Sequence, residues 1–455
     1  MEHITVKEIL EATGGRLLCG QEDTALSHIS IDSRTMQGQD LFVPLIGEKV
    51  DAHRFIDQAF SCGAVAALTS EHDQMDAKQP WIRVKDTKKA LQDIGIYYRN
   101  RLTLPLIGIT GSVGKTTTRE MVACALTAGY QVYKTAGNRN SQVGVPITMT
   151  EISSSDEIGV IELGMSEPGE LTVIAKIARI SMAVITNVGV THIEQLGSQE
   201  NIYREKLSIQ DGLMDGGVLF LNGDDEMLKT TKAREGFSTI YYGTGENCDY
   251  RAVDVHLEEG YPVFTAVHGG EQAEVRLKIM GSHNVNNAMV SMAVARENEI
   301  PMKEAAKKLS EFTGFENRQQ IYYNNGMTII DDTYNASPVS MIAGLEVLGS
   351  ITKAKRKIAV LADMKELGEE APRFHYEIGT YIASHPIDEV VTLGELAGEI
   401  ARSVEEQAQG IAAVRFMEQE SLVAYLKENL REGDCVLFKG SNSMNLGNTA
   451  GEFIS

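Results

Sequence analysis

The residues whose types and spacing most clearly indicate chemistry form a glycine-rich run, GITGSVGKTTT, at positions 108–118. An apolar stretch precedes the run and a helical pattern follows it, which predicts a turn between a strand and a helix. Glycines let backbone amides approach a phosphate closely, and amides at a helix N-terminus bind anions. We therefore predict that this turn binds nucleotide phosphates. The predicted residues are Thr110, Gly111, Ser112, Val113, Gly114, Lys115, Thr116 and Thr117.

Within this turn, Lys115 would reach the β- and γ-phosphates, and the hydroxyl of Thr116 or Thr117 would help to hold Mg²⁺. The strict pattern G-x-x-x-x-G-K-[ST] is not met, because Ile109 occupies its first glycine position. The alternative is a glycine-rich turn whose lysine is incidental. Such a turn by itself does not distinguish an ATPase, a GTPase or a ligase, although no N-K-x-D guanine motif follows it.

Lys206 is unusual because of its neighbours. The pattern over residues 200–213 predicts a helix, in which Lys206 shares an apolar stripe with Ile202, Ile209 and Leu213. A lysine in that stripe must extend its amine to water, form a pair, or lose its charge. Desolvation lowers the pKa of an amine, and a neutral amine can react with CO₂ to give a carbamate, which binds metals. An extended lysine with its amine in water is the alternative.

Two further residues are candidates for a metal site. Glu162 lies in an apolar strand pattern, VIELG, where a buried carboxylate needs a partner such as a cation. His192 follows another apolar run, but a single histidine is by itself more typical of a structural role.

The elements that must position these residues fall into three blocks. Residues 1–102 contain short apolar runs and end in an amphipathic helix pattern, which predicts a small α/β domain. Residues 103–316 alternate strand and helix patterns, which predicts a mostly parallel sheet covered on both faces. Residues 317–455 repeat the alternation and predict a Rossmann-like domain. The predicted fold class is therefore α/β, with three domains.

The composition limits the classes of function. Hydrophobic residues make up 43% and charged residues 23% of the 455-residue chain, which is typical of a globular protein. A formal net charge of −21 disfavours a nucleic-acid partner. Scattered cysteines without a C-x-x-C pair favour a reducing compartment. The first residues lack the apolar region of a signal peptide, and no apolar run is long enough to span a membrane. We expect a cytoplasmic protein without membrane insertion.

The glycine-rich turn resembles that of the Mur ligase family, and the resemblance continues in order along essentially the whole chain. The segments that carry it are IDSR (31–34), DLFVPLIGEKVDAH (40–53), TAGNRNSQVGVP (135–146), IELGMSEPGE (161–170), TNVGVTHIEQLGS (186–198), Lys206, GSHNVNNA (281–288), the Arg318 region, DDTYNASP (331–338), DMKELG (363–368) and KGSNSM (439–444).

The resemblance implies an ATP-dependent ligase that joins D-Ala-D-Ala to UDP-N-acetylmuramoyl-tripeptide through an acyl phosphate, with two Mg²⁺ ions and a carbamate on Lys206. It implies that residues 1–102 bind the UDP-muramoyl peptide, 103–316 bind ATP and 317–455 form the ligase domain. The expected partners are these small molecules, and the expected state is a monomer. The implied catalytic residues are Lys115, Glu162, His192 and Lys206; the implied metal ligands are Thr116, Glu162, His192 and Lys206.

The remaining site residues are also implied by the resemblance. Further ATP contacts are Asn287, Arg318, Asp332, Tyr334 and Asn335, and the contacts to the UDP-sugar peptide are Ser33, Arg34, Gly47, Asn138 and Asn140. Asp332 would accept hydrogen bonds from ribose hydroxyls, and Arg318 offers a fork for phosphate oxygens. The chain departs from the family pattern at Asn317, Ser337, Ala362, Asn442 and Gly447.

Several alternatives stay open from the sequence. A ligase of the same superfamily with another amine acceptor would carry the same phosphate chemistry. A nucleotide-binding regulatory relative that has lost its chemistry is a second alternative, which the retained Lys115, Glu162, His192 and Lys206 argue against. The third residue of the peptide (lysine or diaminopimelate) and the identity of the dipeptide (D-Ala-D-Ala, D-Ala-D-lactate or D-Ala-D-serine) are not specified.

Overall fold

The computed structural model describes residues 1–2, 4–315 and 318–454. Over these ranges the strands form four sheets, and the three larger sheets follow one another along the chain. This order confirms the predicted α/β fold with three domains. The boundary predicted between residues 316 and 317 falls outside the described residues, so the domain limits stay predictions.

The N-terminal domain is built on a five-stranded sheet of order β2-β7-β6-β5-β4, in which β2 is antiparallel to β7. The amphipathic pattern near residue 95 is confirmed as the helix α3, whose apolar face is buried. The strands are β1 Ile4–Thr5, β2 Arg16–Cys19, β3 Ala25–Leu26, β4 His28–Ser30, β5 Asp40–Phe42, β6 Ala64–Thr69 and β7 Trp81–Arg83; the helices are α1 Val6–Thr13, α2 Ile56–Cys62 and α3 Thr87–Arg99.

The central domain contains a nine-stranded sheet of order β16-β15-β14-β13-β12-β11-β8-β10-β9, in which β15 is antiparallel to both of its neighbours and the other neighbours are parallel. Helices cover both faces, each over its own apolar core. The strands are β8 Leu106–Thr110, β9 Val132–Lys134, β10 Ile158–Glu162, β11 Ile180–Ile185, β12 Leu213–Asn222, β13 Ser238–Gly243, β14 Tyr250–Glu258, β15 Tyr261–His268 and β16 Glu271–Arg276; the helices are α4 Lys115–Leu126, α5 Gly144–Glu151, α6 Glu170–Ala178, α7 Ile193–Leu196, α8 Gln199–Leu207, α9 Asn284–Glu297 and α10 Met302–Leu309.

The C-terminal domain contains a six-stranded sheet of order β17-β18-β22-β19-β20-β21, in which β17 is antiparallel to β18 and the other neighbours are parallel. The strands are β17 Gln320–Asn324, β18 Met327–Asp331, β19 Arg356–Ala362, β20 Glu389–Leu393, β21 Ala412–Phe416 and β22 Asp434–Lys439; the helices are α11 Pro338–Ser350, α12 Ala371–Ala383, α13 Gly398–Gln407, α14 Gln419–Asn429 and α15 Leu446–Ile454. Within the described ranges, no helix has both the length and the apolar character needed to cross a membrane.

The helix predicted over residues 200–213 ends earlier, with α8, so the C-terminal part of that prediction was wrong. The chain continues in a short 3₁₀ helix and enters β12 at Leu213. Gly212 packs directly on α6, where a Cβ would lie 2.0 Å from the carbonyl oxygen of Ala175. This close approach lies at the end of the 3₁₀ helix, five residues after the end of α8. The apolar spacing continues because both segments face the same core.

The carboxyl ends of parallel strands from two domains meet at one place. The loops after β8, β10 and β11 of the central sheet and the loop after β18 of the C-terminal sheet line a single cavity. Open α/β sheets bind ligands at the carboxyl ends of their strands, so this junction is the expected position of a site.

Arg99, the last residue of α3, joins the N-terminal domain to the central domain. Its guanidinium donates to the carbonyl oxygens of Ala178 (2.6 Å), Arg179 (2.8 Å) and Leu102 (2.9 Å). The first two carbonyls lie at the C-terminal end of α6, where helix carbonyls have no partner within the helix. Burial, and secondarily the charge of Arg179, lowers the pKa of Arg99 to about 10, so the side chain remains a cation at pH 7.

We expect the substitution Arg99→Met to destabilise the protein by about 2 kcal/mol, because it leaves buried carbonyl groups without donors. The measurement is the urea midpoint of unfolding. The control is Arg101→Met, which removes a half-exposed pair with Glu8 and a contact 6.0 Å from the centre of the Tyr97 ring, and it should change the midpoint little. Equal midpoints for the Arg99 variant and the wild type would show that the contact does not join the domains.

Candidate active site

The glycine-rich turn connects β8 to α4 and is held by the loop that follows β11. Gly111 has a φ of +152°, and a Cβ there would lie 1.8 Å from the hydroxyl oxygen of Thr186, so only glycine fits. The side chain of Asn187 accepts a hydrogen bond from the Val113 amide (3.0 Å) and donates one to the Val113 carbonyl (2.9 Å). The turn is therefore fixed on the protein side, while its other side faces the cavity.

Lys115, the first residue of α4, folds back over the turn and donates to the carbonyl oxygen of Gly111 at 2.8 Å. Burial of its amine lowers its pKa; the charge of Glu162 opposes this shift, and that of Arg318 adds to it. Two cations thus face the same space. A polyphosphate in this space would pair with both cations.

One cavity of about 270 Å³ collects most of the predicted site residues from the central and C-terminal domains. The predicted residues that line it are Ser112, Val113, Gly114, Lys115, Thr116, Asn140, Glu162, His192, Arg318, Tyr334 and Asn335. The fold therefore brings together residues, such as Lys115 and Arg318, that are 180 or more positions apart in the chain. Thr110 precedes the turn and lies buried at the end of β8, where its hydroxyl has no partner among the described residues.

A smaller cavity of about 70 Å³ adjoins the turn and is lined by the remaining predicted nucleotide contacts, Thr117, Asn287 and Asp332. The Asn287 side chain accepts from the Thr118 hydroxyl at 3.0 Å, which links α9 to the phosphate-loop helix. Arg318 lines both cavities, and its guanidinium lies 3.9 Å from the centre of the Tyr334 ring.

Asp332 is held by a lysine whose role sequence analysis did not assign. The Lys439 amine lies 2.6 Å from Asp332 Oδ2, with both side chains buried, and also donates to the carbonyl oxygen of Asn335 at 3.1 Å. Burial lowers the pKa of Lys439, and Asp332 opposes that shift. One Asp332 oxygen is therefore engaged by the protein, so the expected ribose contact would involve the other oxygen.

The Glu162 carboxylate is buried and held from two sides. Its Oε2 lies 3.1 Å from the guanidinium of Arg119, and its Oε1 accepts from the Asn140 amide at 2.8 Å. Arg119 also donates to the Gly137 carbonyl at 2.8 Å. The strand pattern indicated that Glu162 needs a partner, but Arg119 was not identified as that partner. The sequence feature that points to Arg119 is its position four residues after Lys115, one turn along the same helix face.

Lys206 is buried, with 2% of its surface exposed, and it has no hydrogen bond or ion pair with any described residue. Burial, reinforced by the charge of Lys115 and opposed by Glu205, lowers its pKa well below the usual value. The amine is therefore suited to the neutral form. Lys206 does not itself line the larger cavity.

His192 meets a residue of the C-terminal domain. Its Nδ1 lies 2.6 Å from the Glu366 Oε2, and this contact, opposed by burial and supplemented by Lys115, lowers the pKa of Glu366. Glu366 lies in the DMKELG segment (363–368), for which no site residue was predicted.

The predicted contacts of the N-terminal domain do not reach the phosphate turn. Ser33 is buried, Arg34 is exposed and pairs with Asp32 at 2.6 Å, and Gly47 lies in an exposed turn. Asn138 instead lines a separate cavity of about 370 Å³ between the N-terminal and central domains.

Most positions that depart from the family pattern have local roles. Ser337 begins α11 in a capping box with Ser340, and Asn442 donates to the Tyr334 carbonyl at 3.2 Å. Gly447 leaves space beside the Thr333 hydroxyl, 3.0 Å from where a Cβ would lie. Asn317 lies outside the described residues.

Among the described residues, Asp51, His53 and Glu71 also bring three metal-binding groups together. Both ring nitrogens of His53 are already engaged, since Nδ1 lies 2.6 Å from Asp51 and Nε2 accepts from the Ser70 amide at 3.0 Å. This group therefore has no free imidazole nitrogen for a metal.

The substitution Arg119→Met should destabilise the protein by about 3 to 5 kcal/mol, because it leaves the Glu162 carboxylate buried without its cation. The measurement is the free energy of unfolding in urea. The double variant Arg119→Met/Glu162→Gln removes the uncompensated charge and should regain part of the lost stability. Arg204→Met, which breaks an exposed pair with Glu200, is the control. A single variant as stable as this control, or a double variant less stable than Arg119→Met, would contradict the ion-pair account.

Three sequence profiles of one family match successive parts of this chain. The profile of the Mur ligase family, catalytic domain, matches residues 25–99, that of the Mur ligase middle domain matches 109–295, and that of the Mur ligase, glutamate ligase domain, matches 317–442.

Full-length relatives and solved structures agree with these profiles. The UDP-N-acetylmuramoyl-tripeptide–D-alanyl-D-alanine ligase of Bacillus subtilis (strain 168) is 38% identical over 446 residues, which cover 97% of this chain and 96% of that protein. The enzyme of the same name from Synechocystis is 33% identical and covers 95% and 93%. The structure of MurF from Acinetobacter baumannii superposes with a TM-score of 0.90 at 29% identity, covering 99% and 98%. The MurF ligase of Thermotoga maritima in complex with ADP gives 0.83 at 27%, covering 95% and 98%. The chain belongs to the Mur ligase family.

Proposed function

We propose that this protein is an ATP-dependent, ADP-forming ligase of peptidoglycan synthesis. It joins D-Ala-D-Ala to UDP-N-acetylmuramoyl-tripeptide to give the pentapeptide. The supporting observation is the cavity at which the phosphate turn, with Lys115, faces Arg318 and Tyr334 of the C-terminal domain. The named relatives, aligned over nearly the whole chain, support the substrates.

ATP binds across the two adjoining cavities. The turn amides and Lys115 hold the phosphates, Thr116 or Thr117 offers a hydroxyl, and Arg318 adds a second cation. The nucleoside contacts are Asn287 and Asp332 in the smaller cavity and Tyr334 and Asn335 in the larger one.

The residues around the larger cavity fit Mg²⁺, which prefers oxygen ligands. Glu162 is fixed there by Arg119 and Asn140, which leaves its remaining lone pairs for a cation. Thr116 and His192 line the same space. Two Mg²⁺ ions, when bound, neutralise charge on the phosphate oxygens. The other proposed metal ligand is Lys206, whose neutral amine reacts with CO₂ to form a carbamate that supplies two oxygens.

The reaction has two steps. The terminal carboxylate of the tripeptide attacks the γ-phosphorus of ATP, the bond to the bridging oxygen breaks, and ADP leaves. The amine of D-Ala-D-Ala, having lost its proton, attacks the carbonyl carbon of the acyl phosphate, and phosphate leaves with the carboxylate oxygen. Lys115 and Arg318 stabilise the charge on the transferred group, so the protein contributes position and electrostatics rather than a nucleophile.

The other substrates occupy the flanking domains. The cavity lined by Asn138 accepts the UDP-sugar, and Ser33 and Arg34 lie in the chain between Ile31 and Thr35, which line it. Gly47 is a further proposed contact of the N-terminal domain, and Asn140 donates to Glu162. We assign the binding of the UDP-muramoyl peptide to residues 1–102, the binding of ATP to residues 103–316 and the role of ligase domain to residues 317–455. The protein acts as a cytoplasmic monomer.

Phosphate release from ATP should require both UDP-muramoyl-tripeptide and D-Ala-D-Ala, and the product should be heavier by one dipeptide. Lys115→Ala should lower the rate by about 100-fold or more, because it removes a cation that stabilises the transferred phosphoryl group. The control is Lys229→Ala, which removes an exposed lysine of the same domain. Release that ignores the dipeptide, or a Lys115 variant with wild-type activity, would overturn the assignment.

Lys206→Ala should be inactive, and short carboxylates such as formate should restore part of its activity by replacing the carbamate oxygens. Because the pKa of Lys206 is lowered, its amine is neutral above that pKa and becomes protonated as the pH falls through it. ¹³C NMR with labelled bicarbonate should therefore show a carbamate signal that disappears on acidification. Lys176→Ala, on the exposed face of α6, should retain the signal. An active Lys206→Ala variant, or a signal that persists in it, contradicts the carbamate.

A further inference from the structure

His192 and Glu366 meet across the junction between the central and C-terminal domains. His192 lies at the start of α7 and lines the larger cavity, whereas Glu366 lies after β19. The imidazole Nδ1 is 2.6 Å from the carboxylate oxygen, but the contact lacks the direction of a hydrogen bond. Hydrogen bonds of this kind are often misaligned before substrates bind and align in the complex.

The loop that carries Glu366 is held rigidly from its own domain. The Met364 amide donates to the buried His375 Nε2 at 2.9 Å, and His375 Nδ1 lies 2.6 Å from the Ala371 carbonyl. The Lys365 amide donates to the Ser441 hydroxyl at 2.9 Å. Glu366 itself has a φ of +64°, a left-handed conformation uncommon for glutamate. The domain thus fixes the position of this carboxylate.

The backbones on the two sides of the junction also approach closely. The Glu194 amide lies 3.5 Å from the Glu366 carbonyl oxygen, and a Cβ on Gly368 would lie 3.5 Å from the Glu194 Cα. His192 also has a left-handed φ of +64°. The contact between the His192 and Glu366 side chains is therefore part of a small interface between the central and C-terminal domains.

A carboxylate beside one imidazole nitrogen determines the chemistry of the other. When Nδ1 faces a carboxylate, the proton resides on Nδ1 and Nε2 keeps its lone pair, free for a cation or a proton. The Glu366 side chain is 46% exposed, and exposed ion pairs contribute little to stability. Stabilisation of the fold is therefore a poor explanation for this contact.

We propose that Glu366 is a positioning residue that sets the tautomer and ring orientation of His192 across the junction of the two domains. This inference rests on the proposed function, because His192 acts there at the triphosphate. The C-terminal domain would then contribute to the reaction centre although it does not carry the phosphate turn. The carboxylate acts through the imidazole and does not touch the reacting atoms.

The kinetic test is a double-mutant cycle in the full-length enzyme. Glu366→Ala should lower kcat by about 10- to 100-fold, with a smaller change in the KM for ATP, as is typical for a residue behind a metal ligand. Glu366→Gln, which retains an acceptor oxygen, should lose less. In a His192→Ala background, Glu366→Ala should cause less than about a twofold further loss. A loss of the same size in both backgrounds would overturn the proposal.

The spectroscopic test does not depend on turnover. In the full-length chain with ¹⁵N-labelled histidine, saturated with UDP-muramoyl-tripeptide and a non-hydrolysable ATP analogue, the His192 signal should show a proton on Nδ1. Glu366→Ala should shift that proton towards Nε2. Glu369→Gln removes a neighbouring exposed charge and should leave the signal and the urea midpoint unchanged. An unchanged His192 signal in Glu366→Ala would refute the proposal. A wild-type enzyme that lacks dipeptide-dependent turnover would instead refute the proposed function.

Discussion

The structure depends on buried positive charge at the phosphate turn. Lys115 and Arg318 face one space, and burial is the main cause that lowers the pKa of each. The whole chain carries a formal charge of −21, so only a local arrangement of cations and backbone amides can attract a polyphosphate. The Arg318 Nε is buried without a hydrogen-bond partner among the described residues, which is the condition expected of a group that awaits an anion.

Two domains must come together to create this arrangement. The central domain contributes the turn, Glu162 and His192, while the C-terminal domain contributes Arg318 and Glu366. Each domain fixes one buried carboxylate with its own cation, Glu162 with Arg119 and Asp332 with Lys439, because an unpaired charge in the interior would be costly. Residues behind the cavity wall therefore hold the residues that line it. The set of site residues is complete only when the C-terminal domain lies against the central domain.

Much of this organisation could be predicted from the sequence, because local patterns report local structure. The strand–turn–helix around Lys115 and the alternation of strands and helices were both confirmed. The partners of Glu162 and Asp332 were not predicted, since Arg119 and Lys439 reach them through tertiary packing. The helix around Lys206 was also predicted too long, because apolar spacing shows which face is buried but not where an α-helix changes to a 3₁₀ helix.

The central claim is that the tripeptide carboxylate attacks ATP at the phosphate turn and leaves an oxygen on the released phosphate. The most direct measurement uses UDP-muramoyl-tripeptide labelled with ¹⁸O in its terminal carboxylate, together with ATP and D-Ala-D-Ala, followed by mass analysis of the phosphate. The account predicts that each released phosphate carries one oxygen from the labelled carboxylate. Unlabelled phosphate would show that water attacked ATP, and it would contradict the acyl phosphate and the role given to the turn.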